Sequence, residues 1–178
     1  MKIVCFTAED KKAHYEELLR MTAASDREFV PPLSERKSTI QKDLSGGHET
    51  GSVLPYFREM MDQEIIAAVE DGAVQAFLSY RKDHEDEEIG RDIWPNLYLS
   101  TMISRPEARG KGIGGKIFRV LLEEIYPDRP AFTRTWSTNA VQLHVFQKLG
   151  FREIRRVKDG RGPGIDTIYF VRDSFRAF

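Results

Sequence analysis

The run Pro106-Glu107-Ala108-Arg109-Gly110-Lys111-Gly112-Ile113-Gly114-Gly115-Lys116-Ile117-Phe118, PEARGKGIGGKIF, decides how this chain is read. Glycine stands at 110, 112, 114 and 115, and Ile113, Ile117, Val120 and Leu121 then recur at helical spacing. Glycines crowded before a helix leave amide N–H groups bare at its start. Such amides attract an anion, and the missing side chains let a phosphate come close.

Outward from this run the pattern is regular. Asn96–Ser104 precedes it as a strand, and Pro127 and Pro130 end the helix that spans about Gly112 to Tyr126. Ala131–Trp136 reads as a strand and Asn139–Leu149 as a helix stopped by Gly150. The last strands, Phe151–Lys158 and Ile165–Arg172, flank the loop DGRGPG. Upstream, Glu64–Glu70 and Val74–His84 flank Asp71-Gly72, a hairpin signal. Lys2–Phe6 predicts a first strand, with Cys5 a buried apolar residue on it. Thr7 with Asp10 predicts a helix cap, and Tyr15, Leu18, Leu19 and Met21 give the helix its apolar side. Val53–Met61 predicts a second short helix with Pro55 in its first turn. Between these helices DREFVPPLSERK, residues 26–37, breaks the pattern, and 38–51, with Gly46, Gly47 and Gly51, reads as mobile. The acidic segment 83–92 reads as an exposed loop. Neither a repeat nor a linker divides the chain, so the expectation is one α/β (α+β) domain over residues 1–178.

Three phosphate templates fit the opening run. Gly110, Gly112 and Gly115 match the dinucleotide fingerprint, Gly110 through Gly115-Lys116 match most of a P-loop, and Arg109, Gly112 and Gly114 match an acyl-CoA pyrophosphate loop. A P-loop needs Ser or Thr after its lysine to hold magnesium, and Ile117 stands there. A dinucleotide fold needs its glycines after an early strand, and here at least three strands precede them. A nucleotide-binding protein is therefore disfavoured.

SRPEARGKGIGGKIFRVLLEEI together with STNAVQLHVFQKLGF resembles the two signature motifs of the GNAT acyltransferase superfamily, in order and at a suitable separation. The resemblance covers residues 64–172 well and residues 1–63 only in element order. It implies a single mixed, strongly twisted sheet flanked by helices, with an acetyl-CoA-binding core at 64–172 and acceptor-side helices and loops at 1–63. It implies a transferase with acetyl-CoA as cosubstrate, whose acetyl group passes to an amine by direct attack. Backbone groups of Met102, Ile103 and Ser104 would hold the pantetheine arm like an added strand. Amides of Arg109, Gly110, Lys111, Gly112, Ile113, Gly114 and Gly115 would bind the pyrophosphate. Asn139 would meet the cofactor where the fourth and fifth strands splay, and Phe146 would lie near the thiol.

Phe146 stands where many members carry the tyrosine that protonates the leaving thiolate, and it has no proton to give. At 100° per residue Val141, Leu143, Val145, Phe146 and Leu149 share an apolar arc, which leaves His144 on the polar side and puts Gln142 in need of a partner. Tyr98, Ser100 and Thr101 on the fourth strand are the remaining proton-transfer candidates, with Tyr98 the one retained. On a regular strand Tyr98, Ser100 and Met102 share one face and Thr101 the other. His48, Glu49 and His84 read as loop residues able to close over a site, with no metal spacing among them. For the acceptor, Phe29, Arg36 and Tyr56 are the expected pocket residues, with Pro31, Pro32, Leu33 and Phe57 nearby.

Composition bounds the partners. The chain has 178 residues, 40% hydrophobic and 31% charged, and 27 basic against 28 acidic residues leave a formal charge of −1. Such balance gives no reason to expect a nucleic-acid partner. A single cysteine excludes an intrachain disulfide and suits a reducing compartment. The longest apolar run, Ile65–Val69, is far too short to span a bilayer, and no leader is visible, so a cytoplasmic location is expected. The expected partner is a small-molecule or protein amine acceptor, with no membrane partner; a homodimer is compatible. The rival to an enzyme is a non-catalytic acyl-CoA-binding module or sensor.

Overall fold

The computed structural model describes residues 1–45 and 51–174. In chain order the elements are β1 (Lys2–Cys5), α1 (Ala8–Ala13), α2 (Tyr15–Ala24), α3 (Leu54–Met61), β2 (Glu64–Glu70), β3 (Ala73–His84), β4 (Asn96–Ser104), α4 (Ile113–Arg119), β5 (Ala131–Trp136), α5 (Ala140–Lys148), β6 (Arg152–Val157) and β7 (Thr167–Arg172). The strands form one seven-stranded mixed sheet in the order β1-β2-β3-β4-β5-β7-β6. Only β4 and β5 run parallel, and α4 makes the crossover between them.

Local chemistry accounts for the ends of the elements. Thr7 and Asp10 form a reciprocal capping box on α1. Asp71 and Gly72, both with positive φ, make the tight β2–β3 turn. Asn139 accepts from the Gln142 amide and caps α5, and Gly150 at φ 77° ends it. α4 continues through one widened π-helical stretch, Val120–Ile125, to the prolines.

The sheet buries both faces. Toward α4 and α5 lie Leu78, Leu97, Leu99, Ile117, Phe118, Leu121, Phe146 and Phe170. Toward α2 and α3 lie Leu18, Leu33, Tyr56, Phe57, Met60, Phe77 and Ile103. A third cluster gathers Ile89, Ile93, Tyr98, Phe132, Tyr169 and Val171.

Several expectations are corrected. The first helix is two, broken at His14. Cys5 is exposed, because β1 is an edge strand whose residues face solvent. The acidic segment is no free loop: β3 runs on to His84, and two 3₁₀ turns tuck Ile89 and Ile93 into the third cluster. Thr39 and Leu44 in the glycine-flanked segment are buried, while Gly46, Gly47, His48 and Glu49 lie outside the described residues. Val141, placed on the apolar arc of α5, is 77% exposed.

Candidate active site

Two features of β4 build the site. First, β4 and β5 pair only over Leu97–Leu99 and Ala131–Thr133. Thr133 Oγ1 donates to the Leu99 carbonyl at 2.9 Å beside the last pair, and beyond it the strands part. From Ser100 to Ser104 the edge of β4 facing β5 has no strand partner, so its backbone groups there are open to a ligand.

Second, β4 carries a bulge. Ser79 pairs with Thr101 and Tyr80 with Leu99, so Ser100 is the extra residue. The expected alternation fails as a result. Leu97, Leu99 and Met102 pack toward α4 and α5, whereas Tyr98, Thr101 and Ile103 share the opposite face. One inserted residue exchanges the faces of everything after it. Ser100 Oγ is held at the bulge by Ser79 and Gln63.

At the mouth of the opening lies the glycine loop. Gly110 and Gly112 have φ of 73° and 72°, and a Cβ built on either would touch nothing. Arg109 donates its amide to Pro106, and the next backbone bond is from Lys116 to Gly112. The amides from Gly110 to Gly115 are thus free of backbone partners among the described residues. Gly114 has a different use: a Cβ there would meet Met102 Cε at 2.9 Å, so its absence lets α4 lie close on β4. Lys111, Lys116 and Arg119 are exposed and form no ion pair among the described residues, whereas the Arg109 guanidinium is held by Glu28 and the Ser104 carbonyl. An open strand edge, unpaired amides and unpaired cations fit the arm and pyrophosphate of an acyl-CoA.

Asn139 lies between β5 and α5 as the cap of that helix, and its side chain is engaged by the cap and by Thr135. Phe146 is buried, with ring centroids 5.9, 5.0 and 5.4 Å from those of Phe118, Phe151 and Phe170. His144 is exposed, as the helix angles require. Gln142 is only half-buried, which removes its need for a protein partner.

On the Tyr98–Thr101 face the expected acceptor residues do come together. Arg36 lies 5.3 Å from the Phe29 ring centroid and 6.0 Å from that of Tyr56, and Tyr56 Oη bonds Thr101 Oγ1 at 2.6 Å. Phe29 also packs on Trp136. Tyr98 is 3% exposed; its hydroxyl donates to the Thr39 carbonyl at 2.6 Å and accepts from Arg134 at 3.1 Å. That hydroxyl ties down the segment over the site. His84 ends β3 rather than lying in a loop, and its ring stacks on Tyr98 and Phe132. Burial, then repulsion from Arg81 and Arg134 against the opposing Asp86, lowers its pKa to about 4.

A narrow cavity of about 10 Å³ lies here, lined among others by Arg36, Thr39, Tyr98, Ser100, Arg134 and Arg161. Arg134 and Arg161 escape a reading by motif. The visible signal for Arg134 is a charged residue inside a strand, between Phe132 and Trp136 on the same face. Arg161 hides in a glycine-rich turn that reads as a plain loop. A larger cavity, about 280 Å³, opens along α2 beside Ser104–Arg109; of the carboxylates lining it, Glu17 and Glu28 are paired with Arg105 and Arg109. No cluster of three or more metal-ligating side chains occurs among the described residues, and no helix there is long and apolar enough to cross a membrane.

Residues 33–151 match the family model of the acetyltransferase (GNAT) family. No curated protein matches the sequence. The fold is similar to that of a ribosomal-protein-alanine N-acetyltransferase from Brucella melitensis, at 18% identity and TM-score 0.65, over 97% of this chain and 99% of that one. It is similar to an aminoglycoside 6'-acetyltransferase type Ii, at 15% identity and TM-score 0.67, over 97% of each chain. The Salmonella typhimurium protein yncA, solved with its cofactor acetyl-CoA, is similar at 15% identity and TM-score 0.60, over 99% of this chain and 95% of that one.

Proposed function

Because the chain belongs to the GNAT family of acetyltransferases, we propose that it transfers an acetyl group from acetyl-CoA to the amine of a small molecule or protein by direct attack. The observation that carries the reading is the open edge of β4 beside the glycine loop with its free amides. When bound, acetyl-CoA supplies an acyl group on a good leaving thiolate. Amides from Gly110 to Gly115 hold the pyrophosphate, the expected Arg109 amide being taken by the Pro106 carbonyl; Met102, Ile103 and Ser104 line the pantetheine arm through their backbone, and Asn139 lies on the cofactor side near Phe146. Phe29, Arg36 and Tyr56 wall the acceptor side.

The chain's own contribution is mainly placement. Holding an amine beside a thioester replaces a bimolecular encounter, which supplies much of the acceleration. Free N–H groups along the β4 edge stabilise negative charge that develops on the carbonyl oxygen. Tyr98 acts as an anchor, since its proton is given to the Thr39 carbonyl. Phe146 gives no proton, so solvent protonates the departing thiolate. A positioned acid is typically worth ~10²–10⁴-fold, and turnover is slow by that measure.

Release of free thiol from acetyl-CoA against an amine panel tests the reading. Amine-dependent release supports it. Stabilisation by acetyl-CoA without turnover on any amine would favour the sensor, and stabilisation by ATP but not CoA a nucleotide site.

A further inference from the structure

Three arginines from distant parts of the chain meet at the small cavity, and no carboxylate is among its described lining residues. Arg36, 7% exposed, comes from the loop after α2 and donates to the Pro31 and Val30 carbonyls. Arg161, 6% exposed, comes from the β6–β7 turn and donates to the Val30 carbonyl and Thr167. Arg134, on β5, donates to the Gln41 and Thr39 carbonyls and to Tyr98. None forms an ion pair among the described residues, whereas nine other arginines do. Nη2 of Arg161 has no acceptor among the described residues, and the Tyr56 ring stands beside the Arg36 guanidinium.

Buried like charges are costly unless something compensates them. Burial first, and then Arg36 and Arg134, bring the Arg161 guanidinium down to about 9. Phe29, Tyr56 and Trp136 stack on the guanidinium faces, which leaves the in-plane N–H forks as the free donors. Planar forks fit the oxygens of a carboxylate or phosphate. Ser100, at the bulge that opens toward β5, lines the same cavity.

We propose that the acceptor is a small anionic amine, whose carboxylate or phosphate is bound by Arg36, Arg134 and Arg161 while its amino group extends past Ser100 to the opening between β4 and β5. The proposal deepens the acyl-transfer reading and rests on it for the amine. Polyamines and other polycations are disfavoured, because three guanidiniums repel them. A monoanion leaves part of the positive charge uncompensated, and that charge lowers the pKa of the nearby ammonium. The acceptor then reaches its neutral, nucleophilic form without a strong protein base.

The test uses matched amines with acetyl-CoA: glycine against glycinamide, 4-aminobutyrate against butylamine, and phosphoethanolamine against ethanolamine. The anionic member of at least one pair should have the higher kcat/KM by about 100-fold, the scale of charged hydrogen bonds. The first two pairs report a carboxylate and the third a phosphate. Arg161→Gln should abolish that preference through the KM of the anionic amine, and Arg156→Gln, an exposed arginine paired with Glu153 and Asp166, should keep it. In parallel, inorganic phosphate or acetate should raise the melting temperature above a chloride control of equal ionic strength, and Arg161→Gln should remove the rise. If Arg161→Gln does not fold, Arg134→Gln takes its place. Equal or better turnover of the neutral or cationic members overturns the inference and leaves acetyl transfer standing. If acetyl-CoA neither binds nor reacts, the acyl-transfer reading fails, and the phosphate and acetate arm alone decides whether the arginines form an anion site.

Discussion

Tyr98→Phe separates an anchoring tyrosine from a catalytic one. The substitution keeps the buried ring against His84 and Phe132 and removes one hydroxyl. Two hydrogen bonds are lost, the 2.6 Å donation to the Thr39 carbonyl and the 3.1 Å acceptance from Arg134. Neither partner is stranded. The Thr39 carbonyl still accepts from Arg134 at 3.3 Å, and Arg134 still reaches the Gln41 carbonyl at 3.0 Å. The cost is therefore the net worth of ordinary hydrogen bonds, about 1–2 kcal/mol in all. For a chain of this length that lowers the melting temperature by about 2–8 °C. Because the released segment carries Thr39 and neighbours Arg36, the acceptor KM should rise a few-fold while kcat changes less than about 10-fold. Thermal melts and initial-rate kinetics on the same preparation read both quantities. A fall in kcat of ~10²–10⁴-fold at unchanged melting temperature would refute the anchor and make Tyr98 the acid.

Gly112→Asp should abolish stabilisation by acetyl-CoA in a thermal melt, since it sets a negative charge among the free amides of the loop and strains a φ of 72°; an unchanged shift in a folded variant would move the cofactor site elsewhere. His84 has a folded pKa lowered to about 4 against about 6.5 unfolded, so the unfolded state binds more protons between these values and stability falls as pH drops through that window. Urea unfolding between pH 6.5 and 5 should show a slope of up to about 1.4 kcal/mol per pH unit that His84→Gln removes, and the same slope in the variant would assign it to other groups. Phe146→Tyr puts a hydroxyl among Phe118, Phe151 and Phe170 and should cost about 1–3 kcal/mol without a gain in kcat; a 10-fold rise in kcat at unchanged stability would instead place the hydroxyl at the thiol.

The elements themselves were legible in the chain, because their signals are local. The Asp71-Gly72 turn, the strands Asn96–Ser104 and Ala131–Trp136, the stop at Gly150 and the Thr7–Asp10 box each depend on residues a few positions apart. The glycine loop and the motif around Asn139 were legible for the same reason, and with them the family. Phe29, Arg36 and Tyr56, the residues expected on the acceptor side, lie together, with Arg36 over both rings.

Tertiary structure alone decided the rest. Strand periodicity assumes two residues per repeat, and the bulge at Ser100 breaks that count; its sign is the pairing of Ser79 and Tyr80 with Thr101 and Leu99, visible only across two strands. The bulge puts Tyr98 and Thr101 on one face, where Tyr98 donates to the Thr39 carbonyl and Thr101 shares a hydroxyl hydrogen bond with Tyr56. Arg36, Arg134 and Arg161 come from a loop, a strand and a turn, and charge has no period that could foretell their meeting at one cavity. The sequence determined which segments become strands and helices, because backbone preference and apolar spacing act over a few residues. The fold decided which side chains face one another, because burial and electrostatics act through space between residues far apart in the chain.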